Sequence, residues 1–289
     1  MTRTTAPASF RPRHSLGQNF LVDAELRRGV VEAAGITSSD QVLEIGAGPG
    51  TLTAELCLRA ARVVAIEIDR RLIPALRAAA PTAEVVHGDI LRLDLSALFP
   101  TGGEVVVGNI PYYLSGALIR LLLDWQPRPR RLSLVVQREL ARRWCGIGGW
   151  SLSTVAVQFH TRARIALALP ASAFEPVPKV DSALVVMEVR EHPAIEVGDP
   201  GAFLRFVEAV FQFRRKQLKG ALSRVLQVSP EVAGTILTEA AIEPQQRAQT
   251  LTLPDWERLA RSVSPYAAAG KSPPQPRSAR SPGRPIRGI

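Results

Sequence analysis

Short apolar segments alternate with helical stretches between residues 41 and 144, and this alternation restricts the possible folds more than any other feature of the chain. The apolar segments are rich in Val, Ile and Leu and are too short for typical helices, which favours buried strands. The predicted strands are residues 41–45, 62–68, 84–86, 105–107 and 131–136, and the predicted helices are residues 52–60, 71–79, 115–123 and 138–144. Because β–α–β units place successive strands in parallel, the pattern predicts an α/β fold with a doubly wound, mostly parallel sheet.

The pattern differs on both sides of this region. Before it, apolar residues at helical spacing predict a helix over residues 23–34, with Asp23 as its N-cap. After it, two further strands are predicted at residues 165–169 and 183–189, around a Pro-rich segment. Apolar residues then repeat at helical spacing over residues 201–263, so we expect a small C-terminal all-helical domain.

The expected organisation therefore has four parts. Residues 14–192 form the α/β domain, and residues 193–263 form the helical domain. Residues 1–13 and 264–289 have compositions that do not support a core, and we expect them to be disordered. The second of these segments carries five basic residues and no acidic one, which favours non-specific contact with a polyanion.

Composition excludes several classes of protein. The net charge of +10 at pH 7 favours a nucleic-acid partner. The chain has no run of 18 apolar residues, so no membrane span is expected, and its first residues lack the apolar segment of a secretory signal. Cys57 and Cys145 are isolated, so we expect neither a zinc site nor a disulfide scaffold, and a reduced cytoplasm fits best.

A glycine-rich turn, Glu44–Gly50, follows the first predicted strand and opens a helix. Glycines such as Gly46 and Gly48 let a ligand approach the backbone closely. A dinucleotide site has Gly-x-Gly-x-x-Gly spacing and holds a pyrophosphate, whereas this turn has Gly-x-Gly-x-Gly spacing and follows the acidic Glu44. An acid suits a cationic amino-acid group, so we expect S-adenosylmethionine, which carries an ammonium and no phosphate.

Acidic residues follow the next two predicted strands. Glu67 ends the second strand, where a carboxylate can accept hydrogen bonds from ribose hydroxyls. Asp89 follows the third strand, where a carboxylate can accept from an adenine amine. Each residue alone is also compatible with a surface carboxylate at a strand end. Together with the glycine turn, the two acids favour a cofactor that contains a nucleoside.

The tetrapeptide Asn109-Ile110-Pro111-Tyr112 follows the fourth predicted strand. The side-chain oxygen of Asn109 can accept one N–H of a planar amine, and the carbonyl of Ile110 can accept the other. Pro111 fixes the turn, and Tyr112 offers a flat face for stacking. The pattern resembles the catalytic motif of methyltransferases that act on exocyclic amino groups of nucleobases. The alternative is a turn capped by Asn109, with Pro111 and Tyr112 as packing residues.

Seven sequence blocks together resemble the small-subunit ribosomal RNA adenine dimethyltransferase family. The blocks are Leu16–Leu21, Glu44–Gly50, Ile66–Asp69, Gly88–Asp89, Asn109–Tyr112, Phe174–Ser182 and Phe213–Leu218. The resemblance implies a Rossmann-like class I methyltransferase sheet. It also implies cofactor contacts at positions matching Asn19, Leu21, Gly46, Glu67, Asp89 and Asn109.

The same resemblance implies an activity and a partner. Members of the family transfer two methyl groups to each of two adjacent adenosines near the 3′ end of small-subunit (16S) rRNA. We therefore expect the immature 30S subunit as the partner of this chain. We also expect a monomer, since the RNA provides the partner surface.

Three positions depart from the family pattern. Ile110 stands where Leu is usual, Gly220 where Asn is usual, and Ser15–Leu16 where a basic–aromatic pair is common. Ile110 and a basic tail also occur in the sister family of macrolide-resistance methyltransferases, which modify one large-subunit (23S) adenosine. Gly17, Asp181 and the Phe-Arg-Arg-Lys block favour the small-subunit family. A non-catalytic assembly factor would not require the intact motif, and a dinucleotide oxidoreductase would leave it unexplained.

An adenine in folded RNA must leave its stack to reach such a site, and it then needs new stacking partners. We expect Tyr112 and Phe174 to serve, with a plain core position as the alternative for Phe174. Lys179 is a candidate for phosphate contact or for capping a turn. A basic group in the helical domain is a further candidate for phosphate contact, with a solvated helix face as its alternative. This group consists of Arg214, Arg215, Lys216 and Lys219.

Overall fold

The computed structural model describes residue 13 and residues 16–269, which divide into two compact units. The first unit comprises the residues up to Glu196 together with Gln249–Leu253, and the second comprises Val197–Ala248 together with the residues from Pro254 onward. The first boundary lies a few residues beyond the expected one, and the sequence did not indicate that Gln249–Leu253 belongs to the first unit. The disorder expected for residues 1–12 and 270–289 lies outside the described residues.

Strands and helices follow the predicted alternation, with shifts at some ends. The strands are β1 (Phe20–Leu21), β2 (Gln41–Ile45), β3 (Arg62–Glu67), β4 (Glu84–His87), β5 (Val105–Asn109), β6 (Arg131–Gln137), β7 (Thr161–Leu169), β8 (Phe174–Glu175) and β9 (Ser182–Val189). The α-helices are α1 (Ala24–Ala33), α2 (Thr51–Cys57), α3 (Ile73–Ala79), α4 (Leu95–Leu98), α5 (Ser115–Asp124), α6 (Arg138–Trp144), α7 (Leu152–His160), α8 (Pro200–Phe211), α9 (Leu218–Leu226), α10 (Pro230–Glu239) and α11 (Leu253–Ala269). Short 3₁₀ helices lie at Ile90–Arg92, Ala171–Ala173 and Ala248–Thr250.

Seven strands of the first unit form one sheet, in the order β4-β3-β2-β5-β6-β9-β7. Strands β4, β3, β2, β5 and β6 run parallel to one another, and β9 runs antiparallel to its two neighbours, β6 and β7. The predicted doubly wound, mostly parallel sheet is therefore confirmed. The strand order reverses between β2 and β5, and ligands of such sheets bind at the carboxyl ends of the strands at this switch point.

Both faces of the sheet are covered, because successive residues of a strand point to opposite faces. Leu43 of β2 belongs to one apolar cluster, with Leu118 of α5 and Trp144 of α6. Val42, its neighbour in β2, belongs to a second cluster that includes Leu56 of α2. Burial on both faces explains why these strands read as continuous apolar runs and not as alternating patterns.

Two features of the first unit have no clear signal in the sequence. Helix α7 begins at a cap in which the hydroxyl of Ser151 accepts from the N–H of Thr154 at 3.2 Å. Its apolar residues do not form one narrow stripe, so helical periodicity is weak. Strands β1 and β8 pair antiparallel, with Leu21 opposite Phe174, and strands of two residues are too short to show any period.

The second unit is helical throughout its described residues, as predicted, and its core contains the fully buried Trp256. The rings of Phe206 and Phe211 lie with their centroids 6.2 Å and 5.8 Å from that of Trp256. Helix α11 continues to Ala269. Residues 264–269 are therefore helical, whereas the sequence predicted disorder from residue 264 onward. The alanines at 267–269 favour this continuation, since alanine has the highest helix propensity.

Candidate active site

The carboxyl ends of β2, β3 and β5 lie side by side at the switch point of the sheet. Ile45 of β2 is opposite both Ile66 of β3 and Gly108 of β5 in the parallel registers. This register brings the glycine turn after β2 next to the motif that begins with Asn109. A Cβ built on Gly46 would lie 3.6 Å from the backbone oxygen of Asn109. The glycine turn and the Asn109–Tyr112 motif, which the sequence predicts to share one site, therefore lie next to each other.

The glycine turn needs glycine for its backbone conformation. Gly46 and Gly48 have φ angles of +73° and +59°, in the left-handed region that other residues adopt at a cost. A Cβ on Gly48 would also lie 3.0 Å from the ring of Phe20. The amides of Gly46 and Ala47 donate to the carbonyl of Ile66 at 2.9 Å and 3.1 Å. The turn is thus held against β3 with little room for a side chain.

Glu67 is buried at the end of β3 and supports the glycine turn. Its Oε2 accepts from the N–H of Gly48 at 2.8 Å, and its Oε1 accepts from the N–H of Asp69 at 2.7 Å. Burial raises the pKa of this carboxyl, and the two backbone N–H groups oppose the rise. The bracing of the turn is a role that the sequence did not indicate for Glu67.

Glu44 is buried in β2, on the strand next to Glu67. Burial raises the pKa of this carboxyl to about 8; the hydroxyl of Thr53 opposes the rise and the carboxylate of Glu67 adds to it. Its Oε2 has no hydrogen-bond partner among the described residues. Glu44 is therefore mostly protonated at neutral pH, and a cation close to it would lower its pKa again.

Asn109, the last residue of β5, has its side-chain amide fixed by the segment before β1. Its Nδ2 donates to the backbone oxygen of Asn19 at 2.6 Å. A carbonyl oxygen only accepts, so this bond requires the nitrogen of the amide to face Asn19 and leaves Oδ1 to accept from a ligand. Asn19 is itself held by a bond from its Nδ2 to the oxygen of Gly17 at 3.1 Å. The predicted hydrogen bond from a substrate amine to Oδ1 of Asn109 requires this orientation.

A side-chain clasp holds the segment before β1 against the end of β3. Nε2 of Gln18 donates to Asp69 at 3.0 Å, and Oε1 of Gln18 accepts from the N–H of Arg13 at 2.8 Å. The guanidinium of Arg71 lies 2.6 Å from Asp69 and holds the pKa of that carboxyl well below its usual range. Gln18 and Asp69 belong to matched sequence blocks, but nothing in those blocks predicts that the two side chains pair.

The aromatic residues of the predicted site are held from outside the cleft. The hydroxyl of Tyr112 lies 3.3 Å from the hydroxyl of Ser182, the first residue of β9. Phe174 of β8 is 3% exposed and belongs to an apolar cluster, and it also lines the cleft. Ile110 is buried in the other cluster, and its N–H donates to the oxygen of Val135 at 3.0 Å. Its departure from the family pattern therefore affects packing.

These elements surround a cleft whose lining contains no basic side chain. The residues that line it are Leu16, Gly17, Gln18, Asn19, Phe20, Gly46, Glu67, Ile68, Asn109, Ile110, Pro111, Tyr112 and Phe174. Seven of them, Asn19, Gly46, Glu67, Asn109, Pro111, Tyr112 and Phe174, are predicted site residues. None of the lining residues is Lys or Arg, so a pyrophosphate would find no cationic partner among them.

Four predicted cofactor residues lie outside the lining of the cleft. Leu21, Glu44 and Gly48 are buried, and the N–H of Gly48 donates to Glu67. Asp89 caps the 3₁₀ helix at Ile90–Arg92, because its Oδ1 accepts from the N–H of Leu91 at 3.0 Å. In contrast, Gly17, Gln18, Phe20 and Ile68 line the cleft, although they were not among the predicted site residues.

The basic residues predicted to contact phosphate lie in exposed or partly exposed positions. Lys179 is exposed in the connection between β8 and β9. In the second unit Arg214, Arg215 and Lys216 are exposed in the turn between α8 and α9, and not on a helix face. Lys219 follows in α9 and interacts with Glu231. The alternative, a solvated helix face, therefore does not describe residues 214–216, which lie in a turn.

Within residues 16–269, no group of three or more His, Cys, Asp and Glu side chains is arranged to hold a metal ion. No helix in this described part is long and apolar enough to cross a membrane.

Comparison with known proteins identifies the family of the chain. The family model described as ribosomal RNA adenine dimethylase matches residues 9–259. The chain belongs to this family. A member from Geobacter metallireducens, named ribosomal RNA small subunit methyltransferase A, is 38% identical over 271 residues, which cover 90% of this chain and 98% of that protein. A protein of the same name from Geobacillus thermodenitrificans is 36% identical over 270 residues, which cover 89% and 92%.

Solved structures confirm the fold expected for the family. The 23S rRNA methyltransferase ErmE has a TM-score of 0.67 and 29% identity, over 85% of this chain and 99% of that one. A dimethyladenosine transferase from Plasmodium falciparum has a TM-score of 0.69 and 24% identity, over 85% and 97%. The resemblance drawn from the seven sequence blocks is therefore confirmed, and the class I methyltransferase fold with it.

Proposed function

We propose that this protein uses S-adenosylmethionine to dimethylate the exocyclic N6 amines of two adjacent adenosines near the 3′ end of small-subunit (16S) rRNA. The observation that carries the proposal is the orientation of the Asn109 amide. Its nitrogen donates to Asn19, so its oxygen is left as an acceptor in a cleft without basic side chains. The relatives named small subunit methyltransferase A favour this substrate.

The cofactor would be held by the glycine turn and the segment before β1. We assign its amino-acid part to Gly46 and Gly48, with Glu44 beneath them, and its ribose to Glu67. Asp89 is assigned to the adenine, and Asn19, Leu21 and Asn109 complete the set by family resemblance. The bound cofactor would supply a methyl group attached to a sulfonium, and a methyl group leaves a sulfonium readily.

Asn109 and Ile110 activate the substrate amine. The lone pair of an adenine amine is delocalised into the ring, which makes the nitrogen a weak nucleophile. Oδ1 of Asn109 and the carbonyl of Ile110 each accept one N–H and draw the nitrogen toward tetrahedral geometry, which localises the lone pair. Once the nitrogen carries the methyl group, it releases one N–H proton to water. Holding the amine in line with the methyl group supplies much of the acceleration, since the effective molarity of oriented groups is large.

Tyr112 and Phe174 hold the base that has left its stack. Tyr112 is anchored through its hydroxyl at Ser182, and Phe174 through its buried position in β8. Pro111 limits the motion of the turn between them and Asn109. In the second round of transfer the amine keeps a single N–H, so one of the two acceptors then suffices.

The RNA backbone would be held by basic residues outside the cleft. Lys179 serves in the first unit, and the group of Arg214, Arg215, Lys216 and Lys219 serves in the second. The substrate form we propose is the immature 30S subunit in the cytoplasm, bound by a monomer of this protein.

A second candidate is methylation of a large-subunit (23S) adenosine. Ile110 favours it, as does the likeness to ErmE at 29% identity. Ile110 lies in the core cluster, however, so it does not alter the polar groups of the cleft.

The test is methyl transfer from labelled cofactor to immature 30S subunits and to protein-free 23S rRNA, followed by mapping of the modified base. We expect labelling of two adjacent adenosines in 16S rRNA. Labelling confined to 23S rRNA would establish the second candidate instead.

A further inference from the structure

Tyr113 is a largely exposed aromatic residue beside the cleft. It follows Tyr112 directly and is 64% exposed, in contrast to Tyr112, which is partly buried and hydrogen-bonded. Tyr113 itself does not line the cleft, although both Pro111 and Tyr112 do. Its ring therefore lies at the outer margin of the site.

The ring of Tyr113 is supported by the backbone of Gly17. A Cβ built on Gly17 would lie 3.4 Å from Cε1 of Tyr113 and 3.3 Å from Cβ of Pro111. Gly17 has a φ angle of +59°, and its oxygen accepts from the side chain of Asn19. One part of the Tyr113 ring thus packs against a fixed segment that lines the cleft, and the remainder faces solvent.

The proposed substrate creates a need for an aromatic surface at this place. A base that leaves its stack to enter the cleft uncovers the flat face of its neighbour. Aromatic side chains that stack on bases tolerate any sequence, because every base has a π-face. We propose that Tyr113 stacks on the nucleotide next to the adenosine that is being methylated, and so forms a second base subsite. This inference rests on the proposed function.

A subsite of this kind suits a substrate with two adjacent adenosines. When one adenosine occupies the cleft, its neighbour lies one nucleotide away, at the margin where Tyr113 is exposed. The contact needs no phosphate and no hydrogen bond to a base edge, so it positions the neighbouring nucleotide without selecting the sequence of the RNA. It differs from the roles of Tyr112 and Phe174, which hold the reacting base itself.

The experiment compares variants on matched RNAs. The probe is an RNA hairpin with two adjacent adenosines in its loop, together with a version in which one of them is replaced by an abasic nucleotide. For the intact hairpin, Tyr113→Ala should raise KM about tenfold, within the range of base–aromatic stacking. Tyr113→Phe should behave like the wild type, because it keeps the ring. On the abasic hairpin, wild type and Tyr113→Ala should have the same KM.

A fluorescence measurement reads the same contact without catalysis. With 2-aminopurine in the neighbouring position, binding of the wild type or of Tyr113→Phe should quench the fluorescence, and binding of Tyr113→Ala should not. Leu58→Ala, which removes an 81% exposed side chain elsewhere, is the control. Equal KM and equal quenching for wild type and Tyr113→Ala would overturn the subsite. Failure of the wild type to methylate immature 30S subunits would instead contradict the proposed function, and the quenching on the hairpin would still test the subsite.

Discussion

The side-chain nitrogen of Asn109 lies 2.6 Å from the backbone oxygen of Asn19, and this bond joins two segments that are 90 residues apart. It fixes which end of the amide faces the cleft, because the oxygen of Asn19 can only accept. The segment around Asn19 is in turn tied to β3 through Gln18 and Asp69. The orientation of the proposed catalytic group therefore depends on a segment far from it in sequence.

Replacement of Asn109 tests this relationship. Asn109→Ala should abolish transfer of the first methyl group, because the amine then loses the side-chain acceptor and keeps only the Ile110 carbonyl, while cofactor affinity should stay within about tenfold. Asn109→Asp has the same shape but cannot donate to Asn19, and it should also lose most of its turnover. Single-turnover transfer and calorimetric titration of the cofactor measure the two effects. A near-normal rate for the alanine variant would contradict the mechanism.

The two glycines Gly48 and Gly116 should respond to alanine in opposite ways. Gly48 has a left-handed backbone conformation, and a Cβ built on it would lie 3.0 Å from the ring of Phe20. Gly48→Ala should therefore lower the free energy of unfolding by about 1–2 kcal/mol and weaken cofactor binding. Gly116 lies in α5 with open space around its Cβ, so Gly116→Ala should raise stability by up to about 1 kcal/mol.

Urea unfolding of both glycine variants measures these changes. Equal effects of the two substitutions on stability would show that the conformation of the turn is not under the constraint described.

Local patterns predicted the fold and part of the site, and long-range contacts account for the rest. The strands, the glycine turn and Asn109 follow from apolar runs and the residues at their ends. The clasp between Gln18 and Asp69 spans 51 residues, and no local pattern indicates which side chains will pair over such a distance. Asp89, which we assign to the adenine, also caps a 3₁₀ helix in the structure, and the sequence did not indicate this second role.

The buried carboxyl of Glu44 should make stability depend on pH. Its pKa is about 8 in the folded protein, against 4.5 for an ordinary glutamate, so between these values the folded state holds a proton that the unfolded state releases. Stability from this group is therefore complete at low pH and falls as pH rises through the window, by up to about 1.4 kcal/mol per unit. Glu44→Gln cannot ionise and should lack this part of the decline.

Urea unfolding at pH 5.5, 7.0 and 8.5 separates the two proteins. We expect the smallest difference between the two proteins at the lowest pH, and a Glu44→Gln variant that becomes progressively more stable than the wild type at the two higher pH values. Parallel profiles would mean that the carboxyl is ionised in the folded protein without cost.

The exposed turn between α8 and α9 should determine much of the salt dependence of RNA binding. Each phosphate contact contributes about 0.7 to the slope of log affinity against log salt for single strands and about 0.9 for duplexes. If Arg214, Arg215 and Lys216 each contact a phosphate, replacing all three with alanine should reduce the slope by about 2. Fluorescence anisotropy with a 16S rRNA fragment between 50 and 200 mM salt measures it.

A matched triple variant separates local contact from net charge. Arg28, Arg59 and Arg77 are exposed residues of the first unit, and their replacement removes the same charge from the protein. The variant lacking them should keep a slope close to that of the wild type, because long-range attraction between exposed charges is screened within about 7–14 Å over this range of salt concentrations. Equal losses in the two variants would assign the effect to net charge and remove the turn from the RNA-binding surface.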